Sequence, residues 1–178
     1  TAVLHCTYVG TNGQDQVYFV EQDRLGDFFV FGQTGGMYPI SAGVYSNPGS
    51  GQFIQKFTPQ LTTSIFSTTF GTGTPVPNIC PTAFLIDTCM NIYAAGWGRC
   101  INFGGLFGPS SNLNMPLTSD AFQPTTDGCD FYFIILNANA NSLLYATYFG
   151  GAISEEHVDG GTSRFDRNGI IYESVCAG

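Results

Sequence analysis

One short motif occurs three times in this chain, and it constrains the fold more than any other feature of the sequence. Each copy is an apolar run with Thr near its centre and Gly at its end, and the copies occupy residues 4–11, 65–72 and 144–151. After each copy comes an apolar strand, a short turn that begins at Asp, and a second apolar strand. The three turn residues are Asp23, Asp87 and Asp166. Repetition of this kind predicts an array in which each unit buries its apolar face against the next.

Each unit contains enough sequence for four short β-strands. A Pro-containing segment follows the Asp turn, at residues 38–45 and 115–122, and a further strand follows that segment, at residues 53–57 and 132–136. No window sustains apolar residues at helical spacing for three turns, whereas alternating, β-branched and aromatic runs are frequent. These residue types fit a pleated, half-buried surface. The prediction is an all-β fold of β-propeller blades, each a four-stranded antiparallel sheet.

The repeats divide the chain into two complete units and one partial unit. The first repeat is predicted to span residues 1–64, the second residues 65–143, and the partial third residues 144–178. A propeller closes with about four to eight blades. We therefore expect an incomplete portion of a larger propeller, whose remaining blades belong to the same long chain. A small, independently folded β-sandwich is the alternative.

The second unit carries an insertion at residues 99–114 that is rich in Gly, Ser and Asn. Insertions confined to one point of a repeat normally project from one face of the array. We therefore expect this loop to lie outside the repeated core and to carry the recognition surface. Trp97 and Arg99, at its start, are candidate ligand-binding residues, because sugar rings stack on aromatic faces. A Trp buried in the core is the alternative interpretation.

Charge and hydropathy exclude two classes of partner. The net charge is -8 and charged residues make up 10% of the chain. Nucleic acids and anionic membrane surfaces require basic patches, so neither is an expected partner. No apolar run approaches the roughly 18 residues of a membrane span.

The chain has six cysteines and no Cys-x-x-Cys pair, which disfavours zinc and redox sites. A hairpin that turns near Cys89 would bring Cys80 and Cys100 together at its open end. We therefore predict a Cys80–Cys100 disulfide in an exported protein. Buried free thiols are the alternative, since Cys is common as a small core residue.

Candidate chemistry is sparse. Glu155, Glu156 and Asp159 precede two glycines and are candidate calcium ligands, since Ca²⁺ takes carboxylate oxygens from flexible loops. Their spacing matches no known calcium loop, and a solvated acidic turn is the alternative. No Gly-x-Ser-x-Gly elbow is present. The recurring Asp residues are interpreted as turn formers. No catalytic residue is predicted, and the chain is not expected to be an enzyme.

Several motifs resemble those of a known family. They are Asp87 to Tyr93, Met115 to Gln123, Leu144 to Gly151, and the run from Glu156 to Asp166. These resemble the bacterial SBBP-type β-propeller repeat. From Pro81 onward the chain is similar to the large surface proteins of gliding bacteria, which often end in a gliding-motility-associated domain read by the type 9 secretion system. The resemblance extends from about residue 15 to the end and is weaker in the first unit, where Asp27-Phe28-Phe29 replaces Asn-Ile-Tyr.

The resemblance implies an exported, cell-surface and very long multidomain protein, of a family that has no established catalytic residues. Apart from the candidate calcium, no cofactor is predicted. Three functions remain open at the level of sequence. The first is a non-catalytic, adhesin-like surface module that binds proteins or glycans. The second is a component or cargo of the type 9 secretion and gliding apparatus, and the third is an exported carbohydrate-active enzyme on a propeller scaffold.

Overall fold

The structure, a computed structural model, describes residues 2–98, 100, 107–158 and 163–177. These residues form twelve strands and no helix, which confirms the all-β prediction. Within them, no helix is available to cross a membrane. The strands are β1 Asp15–Gln22, β2 Phe28–Thr34, β3 Gln52–Phe57, β4 Ser64–Phe70, β5 Ile79–Ile86, β6 Ile92–Gly98, β7 Phe131–Leu136, β8 Leu143–Phe149, β9 Glu156–His157, β10 Arg164–Phe165, β11 Ile171–Tyr172 and β12 Cys176–Ala177.

The first eight strands form two sheets of the same construction. β1 to β4 pair in chain order into an antiparallel sheet, and β5 to β8 form a second antiparallel sheet in the same order. Register is matched as well, since Phe29 lies opposite Lys56 in the first sheet and Tyr93 lies opposite Ile135 in the second. Two small pairs, β10 with β11 and β9 with β12, follow in the third unit.

The Asp residues form the turns that the sequence predicts. In the β1–β2 turn, Asp23 Oδ1 accepts hydrogen bonds from the backbone N–H groups of Leu25 and Asp27, at 2.9 and 3.0 Å. Asp87 and Asp166 accept equivalent bonds in the β5–β6 and β10–β11 turns. A carboxylate that binds the backbone a few residues ahead is the usual reason for Asp in tight turns.

The two large sheets pack face to face around one aromatic core. Phe31 of the first sheet contacts Phe84 of the second, with ring centroids 5.5 Å apart, and both are buried. Burying one such side chain contributes about 1.5–3 kcal/mol. The first strands also meet, since β5 is in contact with both β1 and β10. The three units are therefore arranged side by side through their first strands.

The sequence repeat and the sheet are offset by one strand. The motif that opens the second and third sequence units forms β4 and β8, which are the last strands of their sheets. Residues 4–11 carry the same motif, but residues 2–14 form no strand, so the first of the four strands predicted for the first unit does not form. The reason is geometric: β4 and β8 each pair with a third strand that precedes them, and residues 4–11 precede every described strand.

The predicted Cys80–Cys100 disulfide is wrong, because Cys100 is bonded to Cys129, with Cα atoms 5.4 Å apart. β6 is an inner strand with a neighbour at each edge. Trp97 lies opposite Phe131 of β7, so the residues just beyond this end of the β6–β7 pair approach each other. Cys80, in contrast, lies within β5 directly opposite Trp97. A disulfide indicates a non-reducing environment for this part of the chain.

The insertion at residues 99–114 is not wholly outside the core. The structure describes residues 100 and 107–114 of this segment, and Phe107 and Asn112 are buried. The Asn112 amide donates to the carbonyl of Asp130, and the Tyr148 hydroxyl donates to the carbonyl of Asn112 at 2.8 Å. The expectation that the whole insertion projects into solvent is therefore wrong for its second part, because its polar groups satisfy those of Asp130, just before β7, and of Tyr148 in β8.

Candidate functional site

Trp97 is part of the packed sheet rather than an open platform. Its side chain lies on β6, the residue is 7% exposed, and its ring centroid is 6.1 Å from that of His157. It borders a cavity of about 380 Å³. The other residues that line the cavity are Tyr18, Phe19, Cys80, Pro81, Thr82, Val158 and Ser163. Arg99, the second predicted ligand-binding residue, lies outside the described residues.

The cavity beside Trp97 lies where the first strands of the units converge. Residues of β1 and β5 form one part of its wall, and Val158 and Ser163 of the third unit form another. The described residues of the lining are apolar or neutral polar. The two facing carboxylates that a glycosidase needs are therefore not among them.

The structure separates the predicted calcium ligands. Glu155 is exposed and Glu156 is buried, so these neighbouring carboxylates occupy different environments. Asp159 lies outside the described residues. Within the described part of the chain, no three His, Cys, Asp or Glu side chains converge into a group that could hold a metal ion.

Glu156 belongs instead to a feature that recurs in every unit and that sequence reasoning missed. A side-chain oxygen of Glu156 accepts a hydrogen bond from the backbone N–H of Gly151 at 2.8 Å. Asn78 accepts the equivalent bond from Thr72 at 3.1 Å, and Asp15 accepts one from Thr11. Each acceptor thus closes the loop after one copy of the repeated motif. The signal in the sequence is an acidic or amide residue a short loop after the motif glycine.

The motif glycine is required because this side chain occupies the space next to its backbone. A Cβ atom added at Gly10 would lie 2.8 Å from Asp15 Oδ2, and one added at Gly71 would lie 2.7 Å from Asn78 Oδ1. Both glycines also have φ near +140°, a region that side-chain-bearing residues rarely adopt. The loop can therefore close only where the residue has no side chain.

Under the third glycine, Gly150, two buried carboxyl groups meet. A Cβ atom at Gly150 would lie 1.9 Å from Asp130 Oδ1 and 2.8 Å from Glu156 Oε2, so both oxygens face the same small space. Asp130 is 0% exposed and Glu156 is 4% exposed. Neither of these two oxygens accepts a hydrogen bond from any donor. Burial, with the negative charges of Asp127 and Glu156, raises the pKa of Asp130 to about 6 despite a hydrogen bond from Thr126.

The second sheet presents a largely aromatic face on the side opposite the first sheet. The first sheet buries its equivalent face against the second sheet. The register shows this equivalence, because Phe70 and Phe149 occupy the same position in β4 and β8. Phe70 is 0% exposed, whereas Phe149 is 47% exposed. A groove of about 300 Å³ runs over this face. Its lining includes Tyr93, Phe133, Tyr145, Phe149 and Phe165.

The β10–β11 hairpin lies on this aromatic face. Phe165 of β10 packs against Tyr93, with ring centroids 5.5 Å apart. Gly169, in the turn, sits so close to the Tyr93 ring that an added Cβ would be 2.8 Å from it. The hairpin begins the third unit with the same Asp turn as the other two. It covers part of the face, as β5 and β6 begin the cover of the first sheet.

Comparison with known proteins adds no family: a scan against family models returned no match, and a search of curated proteins also returned none. The function therefore has to be argued from the residues of this chain.

Proposed function

We propose that this chain is a portion of a β-propeller that serves as a non-catalytic interaction module on the surface of a bacterial cell. The observation that supports the propeller best is the aromatic face of the second sheet, whose counterpart in the first sheet is buried by the next unit. In this proposal the remaining strands of a third sheet, supplied by the same long chain, cover that face. Four-stranded sheets that follow one another and bury both faces are characteristic of propeller blades.

The proposed location and role have separate support. The Cys100–Cys129 disulfide favours a non-reducing compartment, and the resemblance to surface proteins of gliding bacteria favours display on the cell. The proposed ligands are proteins or surface glycans, because the described cavities contain no catalytic constellation and the acidic chain disfavours nucleic acid. The cavity beside Trp97, where the first strands converge, is the proposed ligand-binding region.

Cysteine labelling tests the cover of the second sheet. The intact native polypeptide would carry Ser in place of the exposed thiols of Cys6, Cys89 and Cys176. A single new cysteine is then placed at Phe149, at Phe70 or at Leu144, and the rate of labelling by a water-soluble maleimide is measured. Leu144 is the exposed control, because it is 47% exposed and its counterpart Ile65 in the first sheet is 45% exposed.

The two outcomes of this experiment are distinct. If a third sheet covers the face, the Phe149→Cys variant is labelled as slowly as the Phe70→Cys variant, and the Leu144→Cys variant is labelled rapidly. Rapid labelling at both Phe149 and Leu144 would contradict the proposed cover. A rate at Phe149 that falls with protein concentration would mean that a second copy of the chain covers the face.

Surface display is tested on intact cells. An impermeant biotin reagent should label the polypeptide before lysis, and cells that lack it should attach less well to a glycan-coated surface. Labelling only after lysis would remove the proposed location, while the propeller proposal would stand.

A further inference from the structure

We infer that Asp130 and Glu156 form a proton-binding site that holds the start of the third unit on the second sheet, and that loss of the shared proton loosens this junction. Asp130 directly precedes β7, and Glu156 begins β9, so the pair joins two units of the array. The proton would sit between Asp130 Oδ1 and Glu156 Oε2, the two buried oxygens that lack a donor.

The other oxygens of the pair are already satisfied. The side-chain amide of Gln123 donates through Nε2 to Asp130 Oδ2 at 2.9 Å, and its Oε1 accepts from the N–H of Gly150 at 3.0 Å. Glu156 Oε1 accepts from the N–H of Gly151 and from the Ser154 hydroxyl. Each carboxyl group is thus fixed in place with its second oxygen facing the same small space beneath Gly150. Two carboxylates held this close in a buried site are strongly disfavoured unless one of them is protonated.

The junction between the first and second sheets has uncharged side chains beneath its motif glycine. Beneath Gly71, between the first and second sheets, the side chains that meet are those of Gln52 and Asn78. Both are amides, and amides supply donors as well as acceptors. At the Gly150 junction the side chains that meet are two acids, Glu156 in the place of Asn78 and Asp130 from the residue before β7, and these supply acceptors only when ionised. A single proton restores the missing donor.

No described cation offsets the pair. The salt bridges among the described residues are those of Lys56 in the first sheet. The other titratable groups that face the pair are Asp127, which is exposed, and Tyr148 of β8, whose pKa burial raises to about 12. His157 follows Glu156, and its ring lies against Trp97. The environment of the pair is therefore acidic, and it favours uptake of a proton rather than ionisation.

The direction of the pH effect follows from linkage. The pKa of Asp130 is about 6 in the folded protein and near 3.8 in an unfolded chain. Between these values the folded state binds more protons than the unfolded state, so stability falls as pH rises from about 4 to about 6. The loss is complete about one pH unit above the folded-state pKa. Because the two pKa values differ by about two units, the unfolding equilibrium constant should increase 10- to roughly 100-fold over this pH range.

The Asp130→Asn variant tests the site, because its amide can donate to Glu156 without the need for a proton. The unfolding equilibrium constant of the intact protein is measured by urea titration from pH 4 to pH 8 for the natural chain, for this variant, and for Asp120→Asn. Asp120 is an exposed carboxylate and serves as the matched control for loss of one charge. The ratio of the unfolding equilibrium constants of the natural chain and Asp130→Asn should change 10- to 100-fold between pH 4 and pH 6.5. The corresponding ratio for Asp120→Asn should stay constant.

A spectroscopic measurement keeps the inference falsifiable if Asp130→Asn fails to fold. The side-chain carboxyl carbon of Asp130, followed by ¹³C NMR, should titrate near pH 6 in the natural chain and at clearly lower pH in Glu156→Gln. Titration near pH 4 in both proteins would overturn the inference. So would a midpoint that Ca²⁺ lowers at millimolar concentration, because the pair would then bind a cation rather than a proton.

Discussion

Replacing Lys56 by Met should destabilise the protein strongly, and the effect should depend on pH. The Lys56 ammonium lies 3.0 Å from Asp23 Oδ2 and 3.0 Å from Asp27 Oδ2, and it also lies over the ring of Phe29 at 4.7 Å from the centroid. The Asp23 side chain is 0% exposed. Without the ammonium, a buried carboxylate oxygen has neither a cation nor a hydrogen-bond donor.

The magnitude follows from the burial of the pair. Removing one partner of a buried ion pair costs about 3–5 kcal/mol, because the remaining charge is left uncompensated. In the natural chain, burial acts to raise the pKa of Asp23, but the Lys56 ammonium and the backbone N–H groups of Leu25 and Asp27 outweigh it and hold the pKa below its ordinary value. A lowered pKa contributes stability above pH 4 that is lost as pH falls through the folded-state value. In the variant only the two backbone N–H groups oppose the effect of burial, so the carboxyl group of Asp23 can take up a proton as pH falls from 7 to 4, which relieves much of the loss.

Urea unfolding at pH 7 and pH 4 measures both effects. At pH 7 the Lys56→Met variant should lose about 3–5 kcal/mol, and its melting temperature should fall by roughly 2–4 °C for each kcal/mol. At pH 4 the loss should shrink by at least half. A loss below about 1 kcal/mol at pH 7, or a loss that does not change with pH, would refute the reasoning, because exposed ion pairs contribute only that much.

The second sheet supplies a matched rescue. At the equivalent place it has Tyr93 opposite Ile135, and the Tyr93 hydroxyl lies 3.2 Å from Asp87 Oδ2, as donor. The double variant Phe29→Tyr with Lys56→Ile copies this arrangement into the first sheet. It should recover at least half of the stability that Lys56→Ile alone loses at pH 7, because the new hydroxyl donates to the stranded carboxylate.

Three further predictions concern a turn, the disulfide and a buried hydroxyl. Gly26 has φ of +89° and room for a methyl group, so Gly26→Ala should cost about 1–2 kcal/mol, whereas Gly108→Ala, with open space and ordinary φ, should cost nothing measurable by thermal unfolding. Cys129→Ser opens a disulfide that spans 29 residues and should cost about 3–4 kcal/mol in urea unfolding, with no further loss on addition of reductant. Tyr148→Phe should cost about 1–3 kcal/mol, because its buried hydroxyl serves two backbone groups. Tyr145→Phe, whose hydroxyl accepts one exposed bond, should change stability by less than about 1 kcal/mol in the same assay, and equal losses would contradict this assignment.

The strands and the Asp turns could be predicted because they depend on chemistry within a few residues. The turn at Asp166 needs only a carboxylate that accepts bonds from Asn168 and Ile170. The apolar runs that form β2 and β6 are equally local. A reader of the sequence sees all of these groups side by side, so local rules suffice.

The disulfide and the carboxyl pair could not be predicted because they depend on which strands become neighbours. Cys100 approaches Cys129 only because β7 pairs with β6, and the intervening sequence gives no signal of that pairing. Asp130 meets Glu156 beneath Gly150, and no spacing in the sequence indicates that a residue before β7 and one in β9 become neighbours. The prediction for the insertion is wrong for a related reason. Asn112 is polar, yet it is buried because Asp130 and Tyr148 form hydrogen bonds with it.

Five strand-connecting turns among the described residues share one backbone pattern, and this has a consequence for how far the repeats can diverge. In each turn, the N–H of the first residue donates to a carbonyl oxygen across the base of the turn. The carbonyl oxygen of the same residue accepts a hydrogen bond from the N–H of the fourth residue. The first residues are Asp23, Thr58, Asp87, Asn137 and Asp166, and the fourth are Gly26, Leu61, Met90, Ala140 and Gly169, all with positive φ. Since main-chain atoms make these bonds, the loop shape is retained while almost every side chain changes. Units of this chain can therefore accumulate substitutions in these turns while the spacing of the strands stays constant. The side chains exposed at the rim of each sheet can change without a change in the packed interior.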